Sequence, residues 1–312
     1  MTLTDLRYIV ALARERHFGR AAERCFVAQP TLSVAVKKLE DELGVVIFER
    51  GAGDLRITPV GERIIAQAER VLNEAAQVKE LALAGKDALA GPLRLGAIYT
   101  IGPYLLPRLI PRMVRAAPNM PLYIEENFTV RLAEFIKAGE VDAIVVADPF
   151  VEPGIVTRPL YDEPFRVVMP ASHPWSTRTA IHPEELEQEK LLLLGAGNCF
   201  RDQVLQACPR GQANHGGTLQ RTLEGSSLET IRHMVASGVG LTVLPSSAAD
   251  GLERTNPLLS VKPFTSPEPS RRVVLAWRAS FPRHQAIDAL SRAILACDLP
   301  GVTPVGRAAT AF

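Results

Sequence analysis

The chain has 312 residues, 47% hydrophobic and 22% charged, with 35 Lys plus Arg against 34 Asp plus Glu. That length exceeds one ordinary core and suggests two folding units, and the globular composition excludes a disordered, collagen-like or disulfide-scaffold chain. A net charge of +1 gives no support to a polybasic or polyacidic mode of action, but a few basic groups gathered on one face can still meet DNA.

The start carries no basic stretch leading into an apolar core, since Asp5 arrives at once. No apolar run reaches about 18 residues, so no membrane span and a cytoplasmic chain are expected. Four cysteines (Cys25, Cys199, Cys208 and Cys297) in a reducing compartment argue against standing disulfides.

Residues 1–58 read as a compact helical unit. Leu6, Ile9, Val10 and Ala13 form a first apolar stripe at helical spacing, and 18–26 a second short helix with small Ala21 and Ala22. A third helix is expected over 29–43. Pro30 suits its first turn, Leu32, Val36, Leu39 and Leu43 form its inward stripe, and Gly44 stops it. Val45–Phe48 and Leu55–Thr58 flank the glycine-bearing 51–54 loop and read as the two strands of a small wing. Thr58-Pro59-Val60-Gly61-Glu62 is the strongest helix start in the chain: a cap, a first-turn proline and early negative charge. Residues 59–90 then form a linker helix, in which Ile64, Ala68, Val71, Ala75, Val78 and Ala82 alternate steps of four and three. That heptad seam predicts pairing with a second copy.

From residue 92 strands alternate with helices. Strands are expected at 93–98, 121–125, 141–146, 156–160, 165–169, 190–194, 241–244 and 273–277. Helices are expected near 101–117, 130–138, 200–207, 227–236 and 283–297. This pattern predicts an α/β unit over 91–300 with parallel, covered sheets, followed by a flexible tail at 301–312. Trp175 and Trp277, like Cys25 and Cys297, read as packing.

Helix two, the Val27-Ala28 connection and helix three have helix-turn-helix proportions, which would set the start of helix three in the major groove of double-stranded DNA. Gln29, Thr31 and Ser33 are then candidate readers of bases or phosphates, Pro30 shapes the same turn, and Arg50 in the wing suits a phosphate or the minor groove. Lys37 and Lys38 suit a solvated face better. No catalytic cluster, phosphate loop or paired-carboxylate motif stands out, so the chain does not read as an enzyme. His215 and His233 lack ligand spacing toward the cysteines, so no metal is expected.

The run from Phe18 through Arg50 (FGRAAERCFVAQPTLSVAVKKLEDELGVVIFER), closed by TPVGE, resembles the winged helix-turn-helix of LysR-type transcriptional regulators. The remainder is similar to their periplasmic-binding-protein-like effector domain. Within that family, Gly197-Asn198-Cys199-Phe200-Arg201-Asp202-Gln203 with Cys208, and the later Ser227–Arg232 run, resemble the hydrogen-peroxide sensors. The resemblance implies effector lobes at 92–161 plus 268–300 and at 162–267. It implies a homotetramer built as a dimer of dimers on promoter DNA, acting with RNA polymerase. It further implies Cys199 as the peroxidatic and Cys208 as the resolving cysteine, Thr100 and Thr129 as pocket hydroxyls, and no cofactor, peroxide itself being the signal. Asn198 stands where such sensors often carry His, and a neutral amide can hydrogen-bond peroxide without acting as a base near pH 7.

A helix starting at Cys199 would offer its thiolate unpaired N–H groups, with Arg201 adding positive charge and Asp202 holding a water or a backbone N–H. A standing helix between the cysteines separates them by about 13 Å, so a bridge demands that it unwind. The alternative is a regulator of the same family answering a small metabolite between its lobes, with Ser226–Thr230 binding an anion at a helix start. The cysteine pair is what separates the two readings.

Overall fold

The computed structural model describes residues 1–50, 55–84, 87, 89–207 and 225–305. The chain divides into two units, Met1–Lys86 and Asp87–Phe312. In the first, helix α1 (Leu3–Glu15) opens on a capping box: Thr2 Oγ1 accepts from Asp5 N–H at 3.2 Å while Asp5 accepts from Thr2 N–H at 2.7 Å. Helix α2 (Phe18–Arg24) is capped by His17 Nδ1, which accepts from Gly19 N–H at 3.1 Å. Helix α3 (Gln29–Leu43) carries Pro30 in its first turn and ends at Gly44 in the left-handed region, at φ 68°. Leu32, Val36 and Leu39 are buried as the stripe predicts, but Leu43, the last residue before the stop, is exposed.

The first wing strand lies further along the chain than the expected 45–48: β1 (Phe48–Arg50) pairs antiparallel with β2 (Leu55–Ile57), and residues 45–47 form no strand. Glu40 of α3 accepts from the N–H groups of Ile47 and Phe48 at 2.7 and 2.9 Å, which ties the entry to the wing down to α3. Helix α4 (Pro59–Ala84) begins under Thr58, whose hydroxyl accepts from Gly61 N–H at 2.9 Å and donates to the Val46 carbonyl at 2.7 Å. A Cβ at residue 61 would lie 2.4 Å from the Ile47 carbonyl oxygen, so the close approach of α4 to the wing requires glycine. The first half of α4 belongs to this core: Ile65 and Ala68 are buried with Leu6, Ile9 and Leu12 of α1.

The second unit is built on one mixed sheet of β3 (Leu93–Ile98), β4 (Leu122–Asn127), β5 (Ala143–Ala147), β6 (Ile155–Pro170), β7 (Leu191–Leu192), β8 (Leu241–Pro245), β9 (Leu259–Pro263), β10 (Ser270–Arg278) and β11 (Thr303–Pro304). The strand order is β4-β3-β5-β10-β6-β8-β7, with β9 and β11 also on β6. The expected all-parallel sheet is corrected: β3 runs parallel to β4 and β5, and β7 to β8, but β10 and β6 run antiparallel to their neighbours. The two strands expected at 156–160 and 165–169 are one strand. β6 bonds β10 and β11 along its first part and β8 and β9 along its second. The tail expected at 301–312 begins ordered, with Thr303 and Pro304 pairing with Asp162 and Tyr161 of β6 behind buried Leu299.

Helices α5 (Gly102–Ala116), α6 (Thr129–Ala138) and α11 (His284–Leu295) cover the first part of the sheet. Helices α7 (Cys199–Ala207), α8 (Leu228–Ala236), α9 (Ser246–Ala249) and α10 (Leu252–Thr255) lie with the second. Two buried clusters result. One joins Leu95, Ile144, Leu275 and Leu290; the other joins Phe165, Val167, Phe200 and Val243. No described helix is long and apolar enough to cross a membrane.

Candidate DNA-reading and redox sites

The start of α3 presents Gln29, Pro30 and Thr31 to solvent, with Ser33 half-buried one step inside and Lys37 and Lys38 exposed on the same helix. The apolar stripe of α3 faces the core, so its polar first turn faces out. Arg50 ends β1, and its side chain lies outside the described residues.

Along α4 the seam divides. Ile64 packs against the winged-helix core and Ala68 is only 2% exposed within it, so these two serve their own chain. The expectation that all six face a partner is corrected for them. Val71 and Val78 stand 37% and 66% exposed, Ala75 is half-buried, and the Ala82 side chain lies outside the described residues. Arg14 of α1 also reaches Glu69 at 3.1 Å, holding α4 against α1.

Cys199 is the first residue of α7 and is half-buried. It faces a cavity of about 10 Å³, which it lines with Thr100, Thr129, Asn198, Tyr99 and Phe128. That volume suits about one water-sized molecule. Thr100 is buried just after β3. Its Oγ1 accepts from Arg271 Nη1 at 2.8 Å, and its carbonyl accepts from Nη2 at 2.9 Å. With one acceptor site taken by the guanidinium, the Thr100 hydroxyl keeps its proton to donate. Thr129 opens α6, but its side chain makes no capping bond. Its Oγ1 is buried and has no hydrogen-bond partner among the described residues. Such a hydroxyl in a cavity wall fits a small hydrogen-bonding ligand.

Asn198 is buried, and its Nδ2 donates to the Gly195 carbonyl at 3.0 Å. Arg201 donates to the Leu194 carbonyl at 2.7 Å and so braces the loop before α7. Asp202 is exposed on the first turn of α7, and neither it nor Arg201 is among the side chains lining the cavity. Cys208 lies outside the described residues. Burial pushes the thiols of Cys25 and Cys297 up, in keeping with packing roles. Among the described residues no group of three or more His, Cys, Asp or Glu is placed to hold a metal.

Arg271 and Glu163 belong to no motif in the sequence. Both side chains are fully buried and paired at 2.8 Å, and the guanidinium lies over the Phe200 ring of α7 at 5.1 Å. Glu163 also accepts from Ser247 N–H at 3.1 Å. This network joins β10, β6, α9, the end of β3 and α7 behind the cavity. Gln203 of α7, part of the motif around Cys199 but given no role by it, has a buried Oε1 with no hydrogen-bond partner among the described residues.

A winged helix-turn-helix followed by a two-core α/β unit defines a class of bacterial regulators, and the family comparisons agree. Residues 3–62 match the bacterial regulatory helix-turn-helix protein model of the lysR family, and residues 86–296 match the LysR substrate binding domain. The chain belongs to the LysR family of DNA-binding transcriptional regulators. Within that family it is similar to OxyR. It is 40% identical over 282 residues to the hydrogen peroxide-inducible genes activator of Dickeya chrysanthemi, covering 90% of this chain and 91% of that one. The structure of full-length OxyR C199D from Pseudomonas aeruginosa superposes with a TM-score of 0.79 at 58% identity, covering 97% of this chain and 98% of that one. A cysteine-to-serine mutant of Corynebacterium glutamicum OxyR with H2O2 bound superposes with a TM-score of 0.64 at 34% identity, covering 94% of this chain and 91% of that one.

Proposed function

We propose that this chain is a cytoplasmic, promoter-binding regulator that senses hydrogen peroxide through Cys199 and Cys208. The observation that carries the reading is the cavity at Cys199, water-sized and walled by the Thr100 hydroxyl and the unpartnered Thr129 hydroxyl. The thiolate sulfur of Cys199 attacks one peroxide oxygen. The O–O bond breaks, leaving a sulfenic acid and a hydroxide that takes up a proton as water. Thr100 donates toward the departing oxygen, Thr129 orients the other, and Asn198 fills the wall. The Cys208 thiol then displaces the sulfenic oxygen as a second water and closes a disulfide within the chain. No cofactor takes part.

Gln29, Pro30, Thr31, Ser33 and Arg50 meet DNA. Val71, Ala75, Val78 and Ala82 of the linker helix pair two copies, and effector contacts complete a tetramer that acts with RNA polymerase. The names of the OxyR relatives and the H2O2-bound structure support this reading. Stopped-flow treatment of the reduced protein with stoichiometric peroxide, followed by peptide mass mapping, tests it. The expected product is a Cys199–Cys208 disulfide that Cys199→Ser abolishes. Two free thiols after treatment would sink it.

A further inference from the structure

Tyr99 and Phe128 line the Cys199 cavity, and the sheet register explains why they stand together. Strands β3 and β4 run parallel with Ile98 opposite Asn127 as the last pair. Each strand then continues with an aromatic residue followed by threonine: Tyr99-Thr100 and Phe128-Thr129. One step past the last pair the two rings meet, and the two threonines that follow both line the cavity. The rings meet edge to face with centroids 5.3 Å apart and planes at 79°, an arrangement that aromatic quadrupoles favour. They are 40% and 38% exposed, whereas Thr100 is buried. With Gly197, the two rings are the exposed members of the cavity lining, and Thr100 lies within it.

We infer that the Tyr99–Phe128 pair is a size filter, which admits hydrogen peroxide to Cys199 and holds back organic hydroperoxides and bulky disulfides. The inference rests on the peroxide reading above. A cavity of about 10 Å³ is water-sized, so hydrogen peroxide, one oxygen larger than water, is already a close fit, and an alkyl group on its second oxygen has to displace a ring. Phe128 has no hydrogen-bonding group, and in this inference the Tyr99 ring acts by its bulk, leaving the threonines to orient the oxidant. The reaction is the same for either oxidant: the sulfur takes one oxygen, the O–O bond breaks, and water or the alcohol leaves with the proton.

The test measures Cys199 oxidation rates with hydrogen peroxide and with cumene hydroperoxide in the wild type, Tyr99→Ala, Phe128→Ala and the double variant. The double variant is expected to raise the cumene-to-hydrogen-peroxide rate ratio by about tenfold or more. Tyr99→Phe, which keeps the ring, is expected to hold the wild-type ratio. A second arm follows alkylation of the Cys199 peptide by iodoacetamide and by a bulky maleimide. Opening the filter should speed the maleimide alone, and this arm reads the doorway without any peroxide chemistry. An unchanged ratio and an unchanged maleimide rate in a folded, DNA-binding double variant would overturn the filter. A wild-type Cys199 inert to hydrogen peroxide, with maleimide access still opened by the variants, would instead remove the sensing reading and leave the doorway standing.

Discussion

Glu126, next to last in β4, has an Oε1 that is buried and has no hydrogen-bond partner among the described residues. A Cβ at residue 102 would lie 2.1 Å from that oxygen, so Gly102 at the start of α5 is the residue that lets it fit. Burial pushes the carboxyl above its ordinary value of 4.5. The folded chain therefore keeps this proton to higher pH than the unfolded chain. Stability falls as pH rises from the unfolded to the folded value, and the full deficit persists above both. Glu126→Gln is expected to raise the melting temperature at neutral pH, with the gain vanishing as pH falls below 4.5; thermal scans across pH check this. The Arg271–Glu163 pair makes the opposite case. Both side chains are fully buried, and Glu163→Ala would strand a guanidinium in the core at a cost of about 3–5 kcal/mol. Denaturant titration should show that loss, and a far smaller one for Asp162→Ala, whose partner Arg272 sits at the surface. The neighbours Arg271 and Arg272 look alike in the sequence. Which one is buried depends on the register of β10 against β6, and a bulge between Val273 and Val274 shifts that register. The cysteine and threonines were legible because the family motif marks them; Arg271 needed the sheet.

At the scale of elements, α3 and β3 fall where the spacing puts them, and α4 closely so, because local signals agree there: Pro30 and Gly44 bound one helix, and Thr58-Pro59 opens another. β6 was read as two strands because Asp162-Glu163-Pro164 interrupts its apolar run. In the fold those charges meet Arg272 and Arg271 from β10, so the strand continues through them. β9 gives no strand signal, since five residues ending in Pro263 offer little period to detect. The divided seam of α4 yields a paired prediction. Ala68→Asp puts a charge into the winged-helix core and is expected to unfold that unit. Val78→Asp, at a site 66% exposed, should leave the melting of the unit unchanged while lowering self-association and DNA affinity. Sedimentation and calorimetry on both variants separate the two effects. Equal melting losses would mean that α4 has no partner-facing half.

At the scale of the molecule, α7 is placed to couple the two cores of the effector unit. Cys199 packs against the first cluster, while Phe200 and Val204 are buried in the second. Phe200 meets Phe165 edge to face at 5.1 Å and lies under the Arg271 guanidinium. An intact helix over Cys199–Ala207 holds its ends about 12 Å apart. A disulfide from Cys199 to the residue that follows Ala207 needs Cα atoms within about 7 Å. Closure must therefore unwind α7, whose Phe200 and Val204 are buried in the second core and whose Phe200 packs against Phe165 of β6 and under Arg271 of β10. If that change alters the spacing of the DNA-reading heads, the coupling runs both ways. A promoter duplex that binds the oxidised form tenfold more tightly than the reduced form must favour the disulfide by the same factor, shifting its reduction potential by about 30 mV. Redox titration in glutathione buffers, with and without a specifically bound duplex, measures this shift, and hydroxyl-radical footprints of the two states measure the spacing. Footprints that differ between states in the wild type and stay fixed in Cys199→Ser are expected. Identical footprints and an unmoved potential would show that the thiol chemistry of α7 does not reach the DNA-reading helices.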